Sequence, residues 1–238
     1  MKKTTLLLLP LIFAATAYGQ STEYSFHINT GLFSFGGDAA TKHSAMVVSD
    51  VLTQDNYTLN PYGKEQLFSY GLLVQGNYLT PGQVIFGVQA GYEILRSRVT
   101  IDELTGEFPG PPPPESGQTT LTHGFVTLYP AVGYRFMFNE IAVDLSAGPE
   151  IGVRINGQER GEVILQNGGV IDTDTERSSP NTDLRIRPSL MVMYKNWGVT
   201  AGYSYGLTDY SDDLLQPDGK VFSRYLRFGV AYKFKVTD

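Results

Sequence analysis

The stretch Arg224–Phe234, reading RYLRFGVAYKF, decides the fold. Leu226, Phe228, Val230, Tyr232 and Phe234 alternate with Tyr225, Arg227, Gly229, Ala231 and Lys233. Large apolar side chains therefore share one face and polar, small or charged ones the other, a period of two that belongs to a β-strand. An apolar face ending in aromatics, opposite Arg and Lys, suits a wall with lipid outside and a wet, charged interior.

Seven earlier segments repeat this two-faced pattern. Glu23–Gly36, Leu67–Leu79, Val84–Ile94, Leu121–Phe136, Ile141–Ile155, Leu184–Tyr194 and Trp197–Tyr205 each carry one almost wholly apolar parity. Short turns near residues 80–83, 137–140 and 196 join them into hairpins, while the intervals 37–66, 97–118, 156–182 and 207–222 are long. Alternation of short turns with long loops predicts an all-β, antiparallel up-and-down transmembrane β-barrel of about eight strands, with short periplasmic turns and four long extracellular loops.

The aromatic residues sort by height. Tyr24, Tyr78, Tyr134, Phe136, Tyr194, Trp197, Tyr232 and Phe234 fall near the short-turn end, and Tyr70, Tyr92, Tyr203 and Tyr205 near the other, as two interfacial girdles. Pro130, Pro149 and Pro188 lie inside strands, where each deletes a ladder hydrogen bond; local bulges are expected there.

The N-terminus gives the address. Lys2 and Lys3, an apolar run from Leu6 to Ala15 and the small residues of Ala17-Tyr18-Gly19 form a secretory signal peptide over residues 1–19, cleaved before Gln20. Residues 20–238 then constitute one outer-membrane barrel domain. The run is too short for a membrane anchor, and the chain has no Cys, which excludes both a lipoprotein anchor and disulfides. Without Lys2 and Lys3 the chain has 16 basic and 24 acidic residues, which argues against nucleic acid as a partner.

LYPAVGYRF (Leu128–Phe136) and LSAGPEIGV (Leu145–Val153), a short-turn hairpin with a Pro in each arm, resemble the PorT-like outer-membrane β-barrel domain. RYLRFGVAYKF resembles the aromatic-ended terminal strand of outer-membrane proteins of the OmpX/OmpA type, although Lys235–Asp238 follow it. The resemblance implies integral insertion in the bacterial outer membrane, contact with its lipid and lipopolysaccharide, and recognition of the last strand by the barrel-assembly machinery. It predicts no particular substrate.

The polar parities carry Glu93, Asp144 and Glu150 together with Arg135, Arg154, Arg185, Arg187, Arg227 and Lys233. An eight-stranded barrel is just wide enough to be filled by its own side chains. Two readings follow: a mutually paired network that plugs the barrel, leaving a structural or surface-binding protein that acts through its loops, or a narrow channel for a small solute. A soluble lipocalin-like barrel, with the apolar parities turned inward, is a third, but it leaves rings of aromatics facing water.

The four long intervals hold 17 acidic and 6 basic residues. Asp172, Asp174 and Glu176, and Asp209, Asp212 and Asp213, offer oxygen ligands but no EF-hand spacing, and read as solvated acidic loops; neither a metal nor a cofactor is assigned. FPGPPPPES (Phe108–Ser116) reads as a stiff polyproline loop, and Asn56-Tyr57-Thr58 as a chance sequon. Three His are present, His27 and His123 on polar parities and His43 in the first long interval. None stands beside a Ser on an apolar parity, so no catalytic residue is assigned and no enzyme is expected.

Overall fold

Period-two alternation leaves each strand with two incompatible faces, and closing the sheet on itself separates them while removing every edge. The computed structural model describes residues 21–48, 56–106, 112–177, 180–214 and 219–235. The expected leader, residues 108–111 of the proline run and residues 236–238 lie outside the described residues.

Eleven strands occur among the described residues: β1 (Ser21–Gly36), β2 (His43–Val48), β3 (Tyr57–Thr58), β4 (Glu65–Leu79), β5 (Val84–Gly106), β6 (Pro114–Phe138), β7 (Ile141–Leu165), β8 (Val170–Glu176), β9 (Thr182–Tyr194), β10 (Trp197–Gly206) and β11 (Phe222–Lys235). Eight of them form a closed antiparallel ring in the order β1-β4-β5-β6-β7-β9-β10-β11. The segment Arg224–Phe234 closes it: β11 pairs back onto β1 from Glu23↔Lys235 to Gly36↔Phe222. The short turns lie where expected, with Gln83, Asn139 and Lys195 in the left-handed region (φ 67°, 54° and 54°).

The ring is apolar outside. Phe68, Trp197 and Val199 are 71%, 62% and 61% exposed, and the lower aromatics touch one another, Trp197 against Tyr232 at 4.9 Å and Tyr232 against Phe234 at 5.1 Å. On β6 the outward apolar series runs from Phe136 to Val126. Ten steps of ~3.3 Å, tilted by ~40°, give a band ~25 Å tall, the height of a bilayer's hydrocarbon layer.

Two expectations require correction. The intervals 97–118 and 156–182 are mostly strand: β5 continues to Gly106, β6 begins at Pro114, β7 continues to Leu165 and turns into β8. Above the band the alternation is inverted, with Val99, Ile101, Val163 and Leu165 pointing inward and Arg98, Thr100, Arg160 and Glu162 outward, so a search for outward apolar residues passes over it. The prolines are not at bulges either. Pro130 and Pro149 fall opposite one another on β6 and β7, and the pairs Leu128↔Ile151 and Val132↔Ala147 on either side keep the same register. Two residues without an N–H share one interruption of the ladder, which needs no extra residue. The register shifts lie instead at Gln66/Tyr70, Pro114/Ser116, Gly124/Phe125 and Ser44/Ala45.

The first long interval folds back over the extended strands. β2 runs parallel to β5, β3 pairs with β2, and β8 pairs with β7, so a second, smaller sheet β3-β2-β5-β6-β7-β8 curls above the ring. Its margins meet through side chains: Asn56 Nδ2 donates to the Asp172 carbonyl at 2.8 Å, and the Thr175 hydroxyl donates to the Asn56 carbonyl at 2.8 Å. Met46, Val99, Ile101, Val163 and Leu165 fill this upper lobe.

Candidate functional site

The inward parities stack in layers, beginning at the short-turn rim. Arg135, held on β6 just before the Asn139 turn, forms a fork on Asp144 of β7 (Nε–Oδ1 2.7 Å, Nη2–Oδ2 2.7 Å) and a second on Glu23 of β1 (3.0 and 2.8 Å). Lys233 Nζ completes the group at 3.0 Å from Glu23. Two carboxylates therefore meet two cations. An open vestibule of about 580 Å3 lies below, bordered by Gln83, Met137, Glu140 and Lys195.

Above this rim is a small polar chamber between His27, Gln75, Asn77, Gln89, Ser146 and Thr200, with about 20 Å3 of free volume. That is room for on the order of one water. Gln89 links it upward, accepting from Arg187 Nη1 at 2.8 Å and donating to Gln75 at 2.9 Å.

The central layer is organised around Glu150, which no solvent reaches. Arg185 and Arg227 meet its Oε1 at 2.9 Å each, Arg187 meets its Oε2 at 3.2 Å, and the Ser204 hydroxyl lies 3.2 Å from Oε1. Arg227 also forks onto Glu93 with both contacts at 2.7 Å, and Arg185 reaches Asp183 at 2.7 Å. Three carboxylates thus balance three guanidiniums. Each guanidinium also lies over a ring: Arg185 over Phe125 at 5.1 Å, Arg187 over Tyr129 at 4.3 Å and Arg227 over Tyr225 at 4.3 Å. Cation–π stacking and bidentate pairing are what make buried arginine tolerable.

An aromatic layer closes the long-loop end. Phe33 and Phe35 of β1 and Phe125 of β6 meet Tyr62, brought in before β4, and Tyr210, brought in by the β10–β11 connection. Tyr62 and Tyr210 touch at 5.6 Å, and His123 stacks on Tyr210 at 6.3 Å. Tyr210 is anchored to the layer below by donating to Asp183 at 2.7 Å. Asp209 fixes the strap, accepting from the backbone N–H groups of Ser211 and Val221 at 3.0 Å each. Partial burial pushes the Asp209 carboxyl up, and these hydrogen bonds outweigh it, leaving it below its ordinary value.

Of the nine charged residues singled out in the sequence, five gather in the central layer (Glu93, Glu150, Arg185, Arg187, Arg227) and three at the rim (Arg135, Asp144, Lys233). Lys233 finds Glu23 as its carboxylate. Arg154 joins neither layer; it is the last β7 residue before the register shift, paired with Phe125, and it donates to the Arg177 carbonyl and to Asn181 Oδ1 at 3.1 Å. Glu23 and Asp183 were missed because each stands at the entrance of its strand, although both continue an inward parity. Also missed was Glu159, buried in the upper lobe, which accepts from Thr58 N at 2.7 Å and from Arg177 Nε at 2.7 Å.

The remaining sequence candidates do not converge on a further site among the described residues. Asp174 pairs with Arg160 at 3.3 Å and Gln158 at 2.6 Å on the outer face of the upper lobe, and no three potential ligands come together as a metal group among the described residues. His27 meets Ser25 Oγ at 2.8 Å, both inside the ring, and His43 pairs with Asp102 at 3.0 Å on the surface. Asn56 and Thr58 are spent on joining β3 to its neighbours.

No family model and no curated protein matches the chain. Among solved structures it is similar to Ail, the attachment invasion locus protein of Yersinia pestis, solved in complex with the heparin analogue sucrose octasulfate, at 13% identity over 90% of this chain and 99% of that one, with a TM-score of 0.35. It is also similar to Neisserial surface protein A, at 16% identity over 91% of this chain and 99% of that one, with a TM-score of 0.39.

Proposed function

We propose that the chain is an integral protein of the bacterial outer membrane, exported by residues 1–19 and inserted through recognition of β11 by the barrel-assembly machinery. In this reading it serves as a structural or surface-binding protein that carries its upper lobe outside the cell. One observation carries the proposal: a ring whose exposed outer band is apolar and ~25 Å tall encloses a fully paired ionic interior, the reverse of a water-soluble barrel. The short turns then face the periplasm. Extraction without detergent, or failure to insert into lipid vesicles, would refute this.

The plugged reading is favoured over a channel by the sequence of layers. A solute entering the 580 Å3 vestibule meets the Arg135 forks, then a 20 Å3 chamber, then three guanidiniums locked to three carboxylates and an aromatic layer. Planar-bilayer recording should therefore register no steady conductance; stable single-channel steps would replace the structural reading by the channel. The proposal gives the protein no catalytic role. Ser25 is buried, and its partner His27 lines a chamber with room for about one water, which no ester or amide substrate enters.

A further inference from the structure

The four arginines of the ionic layers are not served alike. Nε of Arg135 donates to Asp144 at 2.7 Å, that of Arg185 to Asp183 at 2.8 Å and that of Arg227 to Glu93 at 2.7 Å. Arg187 differs. It is 3% exposed, yet its buried Nε–H has no hydrogen-bond partner among the described residues. Nor has it a carboxylate of its own, because Glu150, its ion-pair partner at 3.2 Å, is shared with Arg185 and Arg227. Leaving a buried charged donor unmet costs more than losing an ordinary hydrogen bond. Arg187 is thus the least neutralised cation of the layers, and it lines the 20 Å3 chamber beneath the central one.

The wall of this chamber has its oxygens engaged and donors to spare. Both Asp144 oxygens take the Arg135 fork. Gln89 Oε1 accepts from Arg187 Nη1 at 2.8 Å, Gln75 Oε1 from Gln89 Nε2 at 2.9 Å, and Asn77 Oδ1 from Gln75 Nε2 at 2.9 Å. These four residues carry every side-chain carbonyl and carboxylate oxygen of the lining. What remains are the Arg187 Nε–H, a second N–H on the Gln75 and Gln89 amides, and the hydroxyls of Ser146, Ser189 and Thr200. A water would find few acceptors for its two hydrogens, and a metal cation would meet engaged oxygens beside a guanidinium. A species that only accepts hydrogen bonds fits this inventory.

We propose that the chamber is a halide site, holding chloride in the protein's natural surroundings. The ion lies against Arg187 Nε–H and takes further hydrogen bonds from the Ser189 and Thr200 hydroxyls of β9 and β10. Gly202 on β10 keeps that corner open: a Cβ there would lie 3.4 Å from Arg187 Nε and 3.6 Å from Ser189 Oγ, so the two donors border the same space. A volume of about 20 Å3 admits one monatomic ion and is too small for phosphate or sulfate. Burial of a lone ion is prohibitive, but a halide beside Arg187 is half of an ion pair and supplies the acceptor that Glu150, divided among three arginines, does not. The fork of Arg135 on Asp144 separates the chamber from the vestibule, so the ion exchanges slowly. The inference concerns the interior of the ring and stands apart from the surface role proposed above.

The test uses bromide, a heavier halide, as the probe. The full chain is refolded in detergent in sodium bromide, passed into sodium isethionate of equal ionic strength, and assayed for retained bromide by elemental mass spectrometry; crystals grown from bromide locate the ion by anomalous diffraction. One bromide per chain should be retained, with its peak within ~3.5 Å of Arg187 Nε. Arg187→Met should abolish retention. Ser189→Ala and Thr200→Val leave every ion pair in place, so they decide the matter even if Arg187→Met fails to fold; each should weaken bromide about 10-fold in equilibrium titration. Arg160→Gln, whose arginine is paired with Asp174 on the outer face, should bind as wild type does. A chamber without an anomalous peak, a bromide found on the outer surface instead, or affinity within about twofold of wild type in both hydroxyl variants overturns the proposal.

Discussion

Replacing Glu150 by Gln keeps the shape of the side chain and removes the charge at the centre of the barrel. Its three arginines do not lose equally. Arg227 retains its fork on Glu93 and Arg185 retains Asp183, but Arg187 has only Glu150 as an ion-pair partner, at 3.2 Å, and otherwise one hydrogen bond to Gln89 and the Tyr129 ring. A unit pair at ~4 Å in a medium of effective dielectric ~20 is worth ~4 kcal/mol, and breaking a buried pair by removing one partner costs ~3–5 kcal/mol. Glu150→Gln should therefore lower stability by ~3–5 kcal/mol, measured by urea unfolding of the protein in phospholipid vesicles. Because the excess charge resides on Arg187, adding Arg187→Met should recover part of the loss. The double variant should be more stable than the sum of the two single effects by at least ~1 kcal/mol. Additive effects, or a loss below ~1 kcal/mol for Glu150→Gln, would refute the paired interior.

Val230, 48% exposed and flanked by Ile28 and Val199 in the ladder, faces the middle of the apolar band, so Val230→Arg should cost ~2–4 kcal/mol in vesicle-based unfolding. Glu159→Ala removes the acceptor shared by Thr58 and Arg177; hydrogen exchange should rise in β2 and β3 while the eight-stranded ring stays protected. The depressed pKa of Asp209 means that its support of the Tyr210 strap is complete above the unfolded-state value and is lost as pH falls through the lower folded-state value. Asp209→Asn should abolish that acid-side dependence of protease nicking in the β10–β11 connection, with cleavage at neutral pH already matching the acid-exposed wild type.

The ring was legible because one physical demand, apolar outside and polar inside, acts on every other residue of eight segments. Trp197 to Tyr205 and Arg224 to Phe234 satisfy it at each position and were placed correctly to within a residue or two. The upper lobe escaped because the same strands pass there from one solvent to another. Where β5 leaves the band, Ile94 is the last outward apolar residue and Leu95, Val99 and Ile101 become the apolar set on the inner parity. A pattern that inverts within one strand resembles the end of that strand. The inner face is further disguised by Gly117, Gly157 and Gly161, which carry no side chain to reveal a parity, and a Cβ at Gly161 would come within 2.4 Å of the Thr119 hydroxyl.

The interior was half legible for a related reason. Parity identified Glu93, Glu150, Arg185, Arg187 and Arg227 as inward, but it carries no information on height or on which strands face each other across the lumen. Their meeting depends on the stagger of the ladder: β7–β9 sets Glu150 against Arg185, and the closure of β11 on β1 brings Arg227 round to Glu93. Arg154 shows what parity leaves out. It continues the inward parity by number, yet the shift at Gly124/Phe125 offsets β7 by one residue beyond it, and its guanidinium goes to Arg177 and Asn181 of the upper lobe. Arg154 itself keeps the barrel's register and inward parity, so its height along β7, which parity does not encode, is what brings it to Arg177 and Asn181 instead of the ionic layers.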